Sequence, residues 1–109
     1  MRLVVLESPY AGNVDRNVAY ARAAMADCLA RGESPYASHL LFTQPGVLDD
    51  TIPEQRKLGI AAGFAWGRHA DAVVVYEDLG VSSGMRAGIE RAEAMGQPIE
   101  RRSLPGWKK

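Results

Sequence analysis

Cysteine is nearly absent: the 109 residues contain only Cys28, so no internal disulfide can form. No Cys/His spacing suggests zinc, and nothing in the chain calls for a cofactor. Long apolar runs are missing too, so no segment approaches the ~18 residues of a membrane span. The opening stretch MRLVVLESPY is broken by Glu7 and Pro9 and lacks the longer apolar region of a signal peptide; it reads as a first strand. Together with the lone thiol, this points to the cytoplasm. Net charge is the third absence. Lys plus Arg is 13 and Asp plus Glu is 13, which argues against a broad basic surface for nucleic acid and leaves room for a small anion site. There is no P-loop, no G-x-G-x-x-G and no nucleophile elbow.

What is present alternates in period. Length and composition suit one domain over residues 1–109. Arg2 to Leu6 carries a buried-strand signal, and Ser8 to Asn13 a loop. Val14, Val18, Ala21, Met25 and Cys28 recur at helical spacing between a cap at Asn13 or Asp15 and a closing Gly32. A short edge strand is expected near Tyr36 and Ala37, after Pro35. Thr43 to Asp50 is a loop. Thr51-Ile-Pro-Glu54 has the form of a capping box, predicting a helix to about Arg68 with Leu58, Ala62, Ala65 and Trp66 toward the core. Ala72 to Tyr76 is a strand. Ser82 or Ser83 caps a last helix with Met85, Ile89, Ala92 and Met95 on its apolar stripe and the pair Arg86 and Glu90 outside. Pro98 to Arg102 forms an edge strand, and the tail LPGWKK lies on the surface with its lysines in water.

This alternation predicts an α/β fold: a small doubly wound, Rossmann-like and flavodoxin-like parallel sheet of four strands, order 2-1-3-4, in three layers. Ligands of such sheets bind beyond the carboxyl ends of the strands, where the order reverses. That point lies between the first and third strands, so the loops at 7–13 and 77–83 carry the candidate site. In YEDLGVSSGM, two serines and a glycine open a helix whose free N–H groups and partial positive charge suit phosphate; Ser82, Ser83, Gly84 and Met85 are the candidate residues. In ESPYAG, Ser8 joins Tyr10, which can stack on a base or bond a sugar, and Gly12, which lets the backbone approach a ligand. His39 follows the second strand at the same end of the sheet. Asp49 and Asp50 favour the dipole of the next helix and can pair with Arg56. The pentapeptide ESPYA occurs twice, at Glu7 to Ala11 and Glu33 to Ala37. The flanks differ, so the copies are not a duplicated unit; the first opens the site loop and the second becomes a strand.

From Pro35 onward the motifs fall in a familiar order: Pro35-Tyr-Ala37-Ser-His39-Leu40, Leu48-Asp49-Asp50, Pro53-Glu54-Gln-Arg56-Lys-Leu-Gly59, Ala70-Asp71-Ala-Val73, then Ser82-Ser83-Gly84-Met85, Gly88-Ile89, Ala92 and Gly96-Gln-Pro98-Ile99. The set resembles a family of small, mostly phage-encoded domains of unknown function related to the nucleoside 2-deoxyribosyltransferases, and covers nearly the whole chain. The resemblance implies the same parallel sheet. It also implies handling of the N-glycosidic bond of deoxynucleosides or their 5′-monophosphates, in which a glutamate on the last site helix attacks or stabilises the anomeric carbon. It further implies serines on the 5′-phosphate, an aspartate and a tyrosine at sugar and base, and homo-oligomers in the cytoplasm, or in the host cytoplasm for a phage protein.

The chain departs from that pattern at Gly88, where the family's glutamate falls. Glu90 is two residues on, about 200° around a helix, and faces the opposite side. No catalytic residue is therefore assigned; Asp78, also counted among the nucleotide contacts, is put forward to assist, and Glu7 and Glu77 are further carboxylates at the site end. Two functions follow. One is an enzyme acting on the N-glycosidic bond of a bound nucleotide. The other is a non-catalytic pocket that senses or sequesters a nucleotide, such as a host signal. A structural module using its sheet edges and Trp107 is a third reading.

Overall fold

The computed structural model describes residues 1–107, so the two terminal lysines expected in water lie outside the described residues. The elements are β1 (Arg2–Glu7), α1 (Val14–Ala30), β2 (Glu33–Tyr36), α2 (Ser38–Leu41), α3 (Pro53–Gly67), β3 (Ala72–Tyr76), α4 (Ser83–Ala94) and β4 (Ile99–Arg102). The strands form one parallel sheet in the order β2-β1-β3-β4, as the alternation predicts. Val5 pairs with Tyr36 on one side and Val73 on the other, and Val73 pairs in turn with Ile99.

Successive strand residues point to opposite faces, and this splits the core in two. Val4, Leu6, Ala72, Val74 and Tyr76 meet Tyr20, Ala24 and Cys28 of α1. Val5, Val73 and Val75 meet Met85, Ile89 and Ala92 of α4. All of β3 is buried, which is why its sequence is a continuous apolar run. Each fully buried valine contributes about 1.5–3 kcal/mol of transfer free energy. With the strand order reversing between β1 and β3, their carboxyl ends are left uncovered side by side.

Several local expectations need correcting. In α1 the buried face is Asn17, Tyr20, Ala21, Ala24 and Cys28, rotated from the Val14, Val18 and Met25 stripe. Alanines at 21 and 24 let the helix lie close to the sheet, and the Tyr20 hydroxyl, which makes that residue look polar, is satisfied by Asp78 at 2.7 Å. Asn13, not Asp15, is the N-cap, accepting the Arg16 N–H. β2 begins at Glu33 and ends at Tyr36.

The expected capping box before α3 does not form. The Thr51 hydroxyl donates to Asp49, and Ile52 is the N-cap without a side-chain bond. Nor does α3 turn Leu58 and Trp66 inward; they are 60% and 66% exposed. Its close contact is made by glycine instead. A Cβ at Gly63 would stand 2.8 Å from the Ser38 Cβ, so α2 and α3 touch almost backbone to backbone. In α4, Met95 is exposed while the rest of its stripe is buried. The tail is not a free surface segment: Trp107 packs on Tyr20, ring centroids 5.2 Å apart, and Leu104 joins the same cluster.

Candidate functional site

Beyond the carboxyl ends of β1 and β3 lies a cavity of about 180 Å³. β1 and the loop after it deliver Glu7, Ser8 and Tyr10 to its wall, α2 delivers His39, α3 delivers Arg56 and Phe64, and α4 with its cap delivers Ser82 to Met85 and Arg91. A wider cleft of about 940 Å³ adjoins it across Tyr10, Asp50 and Arg56 and runs over Gly12.

One end of the cavity combines a helix start with an arginine. Ser82 caps α4, its Oγ accepting the Met85 N–H at 3.3 Å, while the Met85 sulfur accepts the Ser82 N–H at 3.3 Å. Met85 itself is buried beneath the helix. The N–H groups at the start of a helix have no partner within it, and a cation stands beside this helix start. Arg56 reaches across from α3 so that a Cβ at Gly84 would lie 3.6 Å from its Nη2. Its Nη1 is 3.5 Å from Asp50, which holds the side chain over the site.

The other end is carried by Ser8 and His39. Ser8 Oγ and His39 Nε2 are 2.7 Å apart, and the donor depends on the histidine tautomer. Burial lowers the His39 pKa to about 4, so the ring is neutral at physiological pH. Tyr10 lies between this pair and the wider cleft. Ser8, Tyr10, His39, Ser82, Ser83, Gly84 and Met85 are thus brought together, with Gly12 in the adjoining cleft.

Asp78 is placed elsewhere. Its carboxylate accepts from the Tyr20 hydroxyl at 2.7 Å and the Leu104 N–H at 2.8 Å. It closes the α1 side of the sheet and does not line the cavity. Strand-end position alone does not say which face of the sheet an acid serves.

Glu7 occupies the centre. A Cβ added at Gly88 would overlap its Oε2 and lie 2.7 Å from its Cδ and 3.1 Å from its Oε1. The carboxylate therefore fills the space that a side chain at 88 would need. Burial raises its pKa to about 8, with the Arg91 guanidinium pulling the other way. Arg91 is held over the Phe64 ring at 5.2 Å and donates to Gln97 at 3.0 Å. Neither Arg91 nor Phe64 is legible as a site residue from sequence, because each looks like an ordinary helix-surface or core position. What Gly88→Ala would meet is the tip of a flexible side chain, and alanine is the better helix former. The variant should stay within about 1 kcal/mol of wild-type stability in urea denaturation. It should nonetheless displace the Glu7 carboxylate, and with it lower the raised pKa, which NMR titration of the carboxyl carbon would read.

Among the described residues no group of three or more His, Cys, Asp or Glu side chains is placed to hold a metal ion, and no helix is long and apolar enough to cross a membrane.

Comparison with solved structures bears on the fold. The chain superposes on a 2-deoxyribosyltransferase from the psychrotolerant bacterium Bacillus psychrosaccharolyticus with a TM-score of 0.68 at 15% identity, covering 95% of this chain and 74% of that one. It superposes on the Clostridium botulinum CMP N-glycosidase BcmB with a TM-score of 0.56 at 16% identity, covering 94% and 71%. Its architecture is therefore that of the deoxyribosyltransferase-like α/β proteins. A search of the curated proteins finds no match. Within this class the chain belongs to the domain of unknown function family DUF7768, whose profile matches residues 2–102.

Proposed function

We propose that the protein binds a nucleoside 5′-monophosphate at the carboxyl end of its sheet and acts on the N-glycosidic bond. The observation that carries this reading is the convergence, in one small cavity, of the α4 amino terminus and Arg56 at one end with Tyr10 and His39 at the other. A phosphate on the N–H groups of Ser83 and Gly84 is favoured by the helix dipole and by Arg56. The sugar then lies over the end of β1, and the base extends toward Ser8, Tyr10, His39 and the cleft beside Gly12. Likeness to two proteins that handle nucleosides or nucleotides supports the class of ligand.

Calorimetric titration tests the placement. A monophosphate should bind more tightly than its nucleoside. Arg56→Ala should weaken the monophosphate about tenfold and the nucleoside little, as expected for one charge-assisted contact. Equal loss for both ligands would place the phosphate elsewhere.

The alternative is a pocket that senses or sequesters the nucleotide without chemistry. The bare Gly88 favours it. In either case the chain acts as one deoxyribosyltransferase-like domain over residues 1–109. The buried free thiol of Cys28 suits the cytoplasm, and the exposed Leu58 and Trp66 of α3 suit self-association.

A further inference from the structure

We infer that Glu7 is the catalytic carboxylate of this site, carried by the end of a strand into the space that a helix side chain at position 88 would otherwise occupy. This rests on the nucleotide reading and deepens it, because it assigns the group that attacks the sugar.

The other carboxylates near the strand ends are engaged. Asp50 pairs with Arg56, Glu77 pairs with Arg101 at 3.2 Å, and Asp78 accepts from Tyr20 and Leu104. Glu90 lies exposed on the outer face of α4. Glu7 differs from all of them. It lines the cavity, takes no hydrogen bond from any described residue, and has Arg91 as the one charge acting on it. A half-buried carboxylate with nothing to satisfy it carries a desolvation cost without a structural return. Such groups cluster where chemistry needs them.

Position fits the same role. Gly84 and Gly88 are one helical turn apart, roughly 6 Å along the α4 axis at 1.5 Å per residue. The anion end is at Gly84 and the Glu7 carboxylate is over Gly88. A nucleotide anchored by its 5′-phosphate therefore brings the anomeric carbon to Glu7. The bare glycine is what makes room for this arrangement, so Gly88 is the complement of Glu7 and not the loss of a catalyst.

The step balances with water alone. An Oε of ionised Glu7 bonds to the anomeric carbon as the carbon–nitrogen bond breaks, and the departing base keeps the electron pair and takes a proton from solvent. Water then attacks the anomeric carbon of the glycosyl ester, returns the carboxylate and loses a proton to solvent. The net reaction is hydrolysis to free base and sugar phosphate, and a second base in place of water gives exchange. The first step requires ionised Glu7: burial opposes that form and Arg91 favours it, so base release should rise as pH climbs toward 8.

The test uses the full chain with a panel of ribo- and 2′-deoxyribonucleoside 5′-monophosphates, reading binding by calorimetry and free base by chromatography. Glu7→Gln, nearly equal in shape, should still bind the best ligand but release base at least about a hundredfold more slowly. Acid-quenched wild type should carry a sugar-phosphate adduct on the peptide containing Glu7, a readout that decides the matter even if the variant does not fold. Base release by Glu7→Gln at the wild-type rate, or an adduct on another residue, overturns the inference and leaves the proposed function intact; a wild type that binds and releases no base overturns the inference and leaves the non-catalytic pocket. A wild type that binds no member of the panel overturns that reading, and this inference with it.

Discussion

Replacing Glu33 with alanine should lower stability by about 3 kcal/mol, measured as the change in unfolding free energy in urea. Glu33 opens β2 and Arg102 closes β4, the two edge strands, and both side chains are only 6% exposed. Arg102 donates to Glu33 through both amino groups, Nη1 to Oε1 and Nη2 to Oε2, each at 2.7 Å. Arg2 adds a contact to Glu33 at 3.3 Å. The Tyr76 hydroxyl extends the cluster, accepting from Arg102 at 3.2 Å and donating to Asp27 at 2.6 Å. Without Glu33 the guanidinium stays buried with Glu100 as its remaining carboxylate. Removing one member of a buried pair costs far more than replacing both by apolar residues, so Glu33→Met with Arg102→Met should be milder than Glu33→Ala alone. Arg102 holds the Glu33 carboxyl below its ordinary value. The stability it brings is present above that ordinary value and is lost as pH falls through the depressed one. A cost under about 1 kcal/mol for Glu33→Ala would mean the pair is solvated.

The second large effect is a fall in stability of about 1–2 kcal/mol as pH rises from 6.5 to 8, absent in Glu7→Gln. In the fold the Glu7 carboxyl titrates at about 8, against an ordinary 4.5. Over that interval the folded chain keeps a proton that the unfolded chain has released. Its contribution is therefore full below 4.5 and lost as pH climbs through 8. His39 acts in the opposite sense. Its folded value of about 4 lies below the ordinary 6.5, so its contribution is present above 6.5 and lost toward 4. From 4.5 to 6.5 the two slopes oppose each other, and from 6.5 to 8 only Glu7 of the two contributes. Chemical denaturation at a series of pH values would show a decline between 6.5 and 8 in wild type and none over that interval in the variant; an equal decline in both would remove Glu7 as its source.

The paired ESPYA segments show how far the sequence could be read and where it stopped. Apolar runs at Val4–Leu6 and Val73–Val75 mark the buried central strands, and Ser82 marks the start of α4. With the strand–helix alternation, these marks give the sheet order and the open end between β1 and β3. Local period does not say which long-range partner a side chain meets. Glu7 and Glu33 hold the same place in identical pentapeptides, yet the first is pushed up by burial in a cavity and the second is pulled down by Arg102. The difference lies in residues far along the chain. Much the same holds for α3: apolar residues ring the helix, so no face stands out, and the glycines at 63 and 67 that make its contact carry no hydrophobic signal. Asp78 and Trp107 both turn to Tyr20 of α1, a partner equally remote in sequence. Gly88 on its own suggests a vacancy. Only the geometry shows that a strand residue fills it.

A crystal structure with a nucleoside 5′-monophosphate bound to Glu7→Gln tests the central claim most directly. The account predicts phosphate oxygens on the N–H groups of Ser83 and Gly84 and on the Arg56 guanidinium. It also predicts the anomeric carbon within contact distance of the residue-7 side chain and the base on the Tyr10 and His39 side. A nucleotide seated outside this cavity, or one whose sugar lies away from residue 7, would contradict it.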